Sequence, residues 1–146
     1  MSMSGLNLGL DDPRQAGVYF VTGGDLDTLG VAARDAGLQV HRIDMAGSDK
    51  PTLLLRMATT MDFPAGMGRN WDALSDSLRD LSWLQGEGHV LLFERAEDFR
   101  SAHEADFDTL LEVLEETAQD WATRDLPFWA FLALPVEAFE EDGDIF

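Results

Sequence analysis

The chain has 146 residues, with ten basic side chains against 28 acidic ones, a net charge of −18, no cysteine and 45% apolar residues. That length holds one domain with a real core, and the missing cysteines exclude disulfides, thiolate metal sites and cysteine nucleophiles. Charge of this sign repels nucleic acid and anionic membranes, whose binding rests on Lys and Arg meeting phosphates, and speeds encounter with basic proteins.

Residues 1–16 read as a loose N-terminal arm, with Gly, Ser, Asn, Pro and leucines that follow no period. They carry no basic n-region and no long apolar run, so no secretory signal is expected. No stretch approaches the length of a membrane span, and a cytoplasmic location is the expectation. "GVYFVTGG", 17–24, reads as a buried strand closed by glycines. In "DLDTLGVAARDAG", 25–37, Leu26, Leu29 and Ala33 recur at helical spacing and Gly37 stands at a natural C-terminal stop. "LQVHRIDM", 38–45, alternates like a strand. The spacing predicts a helix over 48–64, opened by Ser48 or Asp49 and Pro51 and stopped by Pro64. A second helix follows Asn70 and buries Leu74, Leu78 and Leu81.

"HVLLFERA", 89–96, is apolar enough to be a strand covered on both faces. "EADFDTLLEVLEETAQDWAT", 104–123, is the clearest helix, with Phe107, Leu110, Leu111, Leu114, Ala118 and Trp121 on one face. "LPFWAFLAL", 126–134, is a last buried strand, and the acidic tail 137–146 is expected to fray. Strands alternating with helices predict an α/β fold: a small parallel β-sheet flanked by α-helices, in one domain over 17–136.

Few motifs carry catalytic chemistry. "VTGGD", 21–25, joins strand to helix but is neither G-x-G-x-x-G nor a P-loop, and Asp25 and Asp27 would repel phosphate, so it reads as a tight turn. His41, His89 and His103 lack metal spacing and are expected at the surface or at strand edges. No serine sits in a G-x-S-x-G elbow.

The informative stretch is "GRNWDALSDSL", 68–78. Asp72 and Asp76 lie one helical turn apart on one face, where like charges repel by roughly 0.2–0.5 kcal/mol. Asp72 falls in the first turn, where the helix dipole favours an anion. Asp76 and Asp80 gain nothing there, although Arg79 can pair with Asp76 at i, i+3. The stripe is therefore either a solvated helix face or a surface meeting a cation on another molecule. A rigid row of carboxylates resembles a row of phosphates and can meet Arg, Lys or His⁺ by charge-assisted hydrogen bonds. The pair could also take part in a metal site, which would need further oxygens from a second element.

The pattern P-x-x-x-G-x-N-x-D-A-L-x-D-x-L, carried by Pro64, Gly68, Asn70, Asp72, Ala73, Leu74, Asp76 and Leu78, resembles the barstar family, intracellular protein inhibitors of the ribonuclease barnase. The order of elements also fits over about 39–135, which makes the β-α unit at 17–37 an N-terminal addition to a barstar-like fold. The resemblance implies an acidic helix that plugs a basic ribonuclease active site. Asp76 would take a phosphate position, Asp72 would support it, Asn70 and Trp71 would flank it, and Glu116 would make a peripheral contact. Where the family carries aromatics, this chain has Gly66 and Met67 before the helix and Ser75 between the aspartates. Its Gly-aromatic pair after the helix becomes Asp80-Leu81, with Trp83 close by. The expected partner is a basic, barnase-like ribonuclease, bound without cofactor, metal or nucleic acid by a protein that is a monomer when free. Two other readings stay open: an acidic module with a non-nuclease basic partner, and a small metal-dependent α/β enzyme.

Overall fold

A computed structural model describes residues 9–66 and 68–143. The elements run β1 (Val18–Val21), α1 (Gly23–Asp35), β2 (Gln39–Asp44), α2 (Lys50–Thr60), α3 (Trp71–Asp80), β3 (His89–Glu94), α4 (Glu97–Ala102), α5 (Glu104–Thr123), β4 (Phe128–Ala133) and α6 (Val136–Gly143). The four strands form one all-parallel sheet in the order β1-β4-β3-β2. This is the α/β fold anticipated, with the N-terminal β-α unit as part of the sheet.

The order explains the composition of the strands. β3 and β4 lie in the middle and are covered on both faces, so they read as continuous apolar runs. On one face, Val90, Leu92, Trp129, Phe131 and Ala133 pack with Leu26, Leu29, Ala32 and Ala33 of α1. On the other, Leu91, Phe93, Phe128, Ala130 and Leu132 meet the buried sides of α2, α3 and α5. β1 and β2 are the edges, and α1 crosses the sheet from one edge to the other.

Local chemistry sets several boundaries. The Thr22 hydroxyl accepts the Asp25 N–H at 3.4 Å, and the Asp25 carboxylate accepts the Thr22 N–H at 3.1 Å. This reciprocal cap starts α1 at Gly23, two residues before the glycine turn was expected to give way to helix. Asp49 caps α2 by accepting the Thr52 N–H at 3.0 Å, with Pro51 in the first turn.

Four expectations change. The histidines at 41 and 89 are not at the surface: His41 is 9% exposed and His89 1%. Strand alternation turns His41 inward beside Ile43, and His89 opens a strand covered on both faces, so each ring satisfies the other. His41 Nε2 and His89 Nδ1 lie 3.0 Å apart with the rings stacked, and Trp121 meets His89 edge-on. Burial pushes both imidazoles down to about 4; Asp62 opposes the shift at His41, and His41 adds to it at His89. Residues 9–16 of the expected arm are anchored, because Leu10 is buried and its carbonyl accepts the Trp129 indole N–H at 2.8 Å. The rest of the arm, 1–8, lies outside the described residues. The C-terminal stretch does not fray from 137: it forms α6, with Ala138 and Phe139 against the core, and 144–146 lie outside the described residues. Finally, α4 was not anticipated. Six residues are too few to show a period, and no side chain caps its start; Phe99 ties it to the core.

Candidate functional site: the acidic face of α3

Both ends of α3 are fixed. The Asn70 side chain accepts the Ala73 N–H at 2.8 Å and starts the helix. At the other end Leu81 adopts φ 48°, the left-handed conformation that stops a helix, and its N–H reaches the Ser77 carbonyl. Two side chains of the α5 region hold the next carbonyls. The Trp121 indole donates to the Leu78 oxygen and the Arg124 guanidinium to the Arg79 oxygen, both at 2.8 Å. Leu74 and Leu78 are buried in the core, as the spacing requires. The opposite face of α3 has one orientation and points outward.

Asp72, Asp76 and Asp80 are all exposed on that outer face. The Asp76 carboxylate is 75% exposed and accepts one bond from Arg79 at 2.9 Å; Arg79 is itself 45% exposed and also donates to the Ser75 carbonyl. The expected i, i+3 pair therefore forms without covering the carboxylate. Asp72 lies in the first turn, where the dipole favours it. Among the described residues neither Asp72 nor Asp80 has an ion-pair partner. Trp71 is half-buried, with the Lys50 ammonium 5.5 Å from its ring centre. Ser75 is half-buried between the aspartates. Gly66 is exposed at φ 93°, a backbone that suits glycine, and Met67 lies outside the described residues. Glu116 is exposed on α5, the helix against which α3 packs, and forms no ion pair among the described residues.

Beside the N-terminal end of α3 lies a groove of about 340 Å³ between α2 and the loop 62–70, walled by Leu55, Phe63, Pro64, Gly66 and Asn70. Leu55 and Phe63 were not singled out from the sequence. The signal was present for Leu55, an apolar residue that falls off the buried stripe of α2 and is 43% exposed. Trp83 works behind this loop. Its indole donates to the Met61 carbonyl at 2.9 Å, and its ring meets Phe63 edge-on at 5.8 Å. An acidic helix face and an apolar hollow thus adjoin on a scaffold braced from below.

Among the described residues no three His, Asp or Glu side chains come together as metal ligands, and no helix is long and apolar enough to cross a membrane. Comparison with curated proteins finds no match. A solved structure of the Aeropyrum pernix ORC2 protein, in ADPNP–ADP complexes, is similar at a TM-score of 0.51 and 19% identity. It covers 88% of this chain but 37% of its own, so the chain spans well under half of that protein, and the likeness concerns the fold. The family model described as Barstar (barnase inhibitor) matches residues 38–133, from the start of β2 to the end of β4. That match takes in α3 and most of the sheet, leaves β1 and α1 outside it, and shows that the chain belongs to the barstar (barnase inhibitor) family.

Proposed function

We propose that this protein binds a basic ribonuclease and blocks its active site, with the outer face of α3 standing where the enzyme holds RNA phosphates. Asp76 is the central mimic, with Asp72 beside it and Asp80 extending the row. Asn70 and Trp71 flank the row, Ser75 and Gly66 leave room close to the backbone, Glu116 belongs to the rim, and Met67 is assigned to the interface by the family pattern alone. The observation that carries this reading is that Asp76 is exposed on a helix held at both ends, since a carboxylate already in place loses little freedom on binding. Arg79 yields to a competing guanidinium at small cost, because an exposed ion pair is worth about 0–1 kcal/mol. The hollow walled by Leu55 and Phe63 accepts an apolar side chain of the partner next to the charged row. The net charge of −18 raises the encounter rate with a basic enzyme. The protein is a monomer when free, and it acts without cofactor, outside any membrane and in the cytoplasm.

The test is inhibition of RNA cleavage by a barnase-like ribonuclease, with association followed by stopped flow from low to high salt. Inhibition with an association rate falling steeply as salt rises supports the proposal, because screening shortens the reach of exposed charges. Capture of a basic protein at low salt with RNA cleavage unaffected overturns the nuclease reading in favour of a different basic partner.

A further inference from the structure

The edges of the sheet differ in a way the α3 site does not use. At β2, two of the three outward-facing positions, 42 and 44, are guarded. Arg42 is bonded to Glu94 and Asp27, and the outward carbonyl of Asp44 accepts the Arg56 guanidinium at 2.7 Å. Charged and covered positions of this kind keep a strand edge from recruiting another strand. Among the described residues β1 has no such guard. The Ala130 N–H reaches the Gly17 carbonyl and the Leu134 N–H the Val21 carbonyl, so positions 17, 19 and 21 face β4. The backbone groups of Val18 and Phe20 therefore face outward, and they have no backbone partner among the described residues. The strand also exposes two aromatics, Tyr19 at 44% and Phe20 at 42%.

Successive side chains of a strand go to opposite faces, and each face of β1 has a groove. On the α1 side, Tyr19 leans on Trp129 and Phe131 beside a hollow of about 490 Å³ that Leu10 and Asp25 help to line. On the α5 side, Phe20 stacks on Phe107 at 6.2 Å beside a hollow of about 420 Å³ that carries Glu104 and Asp108. The cation of that second hollow, Arg100, is already paired with Glu97 at 3.1 Å. Both grooves thus combine an aromatic floor with carboxylates that form no ion pair among the described residues, although Asp25 also accepts the Thr22 N–H of its helix cap.

The geometry points to β1 as a second docking surface, one that takes an extended, basic segment of a partner protein as a fifth strand. The Val18 and Phe20 backbone supplies the hydrogen bonds, and alternate side chains of the segment enter the two grooves, as in strand addition generally. Asp25 on one side and Glu104 and Asp108 on the other select Lys or Arg over Asp or Glu. A second copy of this chain fits poorly, because it would bring a net −18 against another −18. The surface shares no residue with α3, so it stands or falls apart from nuclease inhibition.

The experiment uses the full chain, labelled with ¹⁵N, and a short capped peptide alternating Val and Lys. Two control peptides replace Lys by Glu, or carry N-methyl groups along the pairing edge. The Val/Lys peptide is expected to slow amide exchange at Val18 and Phe20 by about tenfold or more, as new strand pairing protects amides. The Glu peptide and the N-methylated peptide should not. Phe20→Lys, checked for native circular dichroism, should abolish the protection by placing a repelling charge on the edge. Unchanged exchange at Val18 and Phe20, or peptide shifts confined to 72–80, would overturn the inference. So would protection that appears without peptide as protein concentration rises, since the edge would then pair with itself. The N-methylated control keeps the test decisive even if Phe20→Lys does not fold.

Discussion

Replacing Asp76 by Ala separates binding from stability, and the structure sets the size of each effect. In the free protein three terms change. The exposed Arg79 pair is lost, worth roughly 0.2–0.5 kcal/mol. Repulsion from Asp72 and Asp80, each four residues away, is relieved by about the same amount apiece. Ala is a better helix interior residue than Asp by roughly 0.5 kcal/mol. The terms sum to a gain of about 0.5–1 kcal/mol, which for a chain of this size raises the melting temperature by roughly 2–4 °C. Binding should move the other way. Truncating one partner of a buried, hydrogen-bonded charge pair weakens a complex by about 2–5 kcal/mol, an interval to which barnase–barstar itself contributes, or roughly 30- to 5000-fold. Thermal unfolding by circular dichroism and titrated inhibition of RNA cleavage read the two effects on the same preparation. A melting temperature that falls by several degrees would make Asp76 a structural residue. Undiminished inhibition by a folded variant would refute the phosphate-mimic argument.

Other predictions follow from the core and the caps. Both buried imidazoles sit near 4 while an unfolded histidine titrates near 6.5, so below 6.5 the unfolded chain binds more protons than the native one. Stability is therefore full above pH 6.5 and falls as the pH drops toward 4, by on the order of 3 kcal/mol for one imidazole. Urea midpoints at pH 7.5, 6.5 and 5.5 should show the decline beginning above the carboxylate range, with a flatter profile for His89→Gln; a flat wild-type profile would contradict the buried pair. Trp129→Phe keeps the ring beside Phe131 but leaves the buried Leu10 carbonyl without its donor, and denaturant titration should register a loss of about 1–3 kcal/mol. Asn70→Ala removes the bond to the Ala73 N–H and should cost about 0.5–2 kcal/mol in the same assay, with Asn70→Ser restoring most of it.

The sequence by itself determined the four strands, the helices α1, α2, α3 and α5, and the local chemistry of α3. Strand and helix follow from apolar periodicities of two and of about 3.6, which are properties of a segment alone. The Asn70 cap, the buried Leu74 and Leu78 and the Arg79–Asp76 pair all lie within one or two helical turns, so spacing was enough to read them. Only the tertiary structure decided what depends on residues far apart. It places β1 beside β4 and leaves β1 at an edge, because α1 carries the chain across the whole sheet before β2 begins. It buries His41 against His89, 48 residues away, where local pattern suggested surface or strand-edge positions and could not show that the two rings meet. It anchors Leu10 on Trp129 across 119 residues and ties Trp121 to the end of α3 across 43. A segment's own pattern shows which face must be covered, but the partner that covers it is set by chain crossings and by the polar groups each burial leaves to be satisfied.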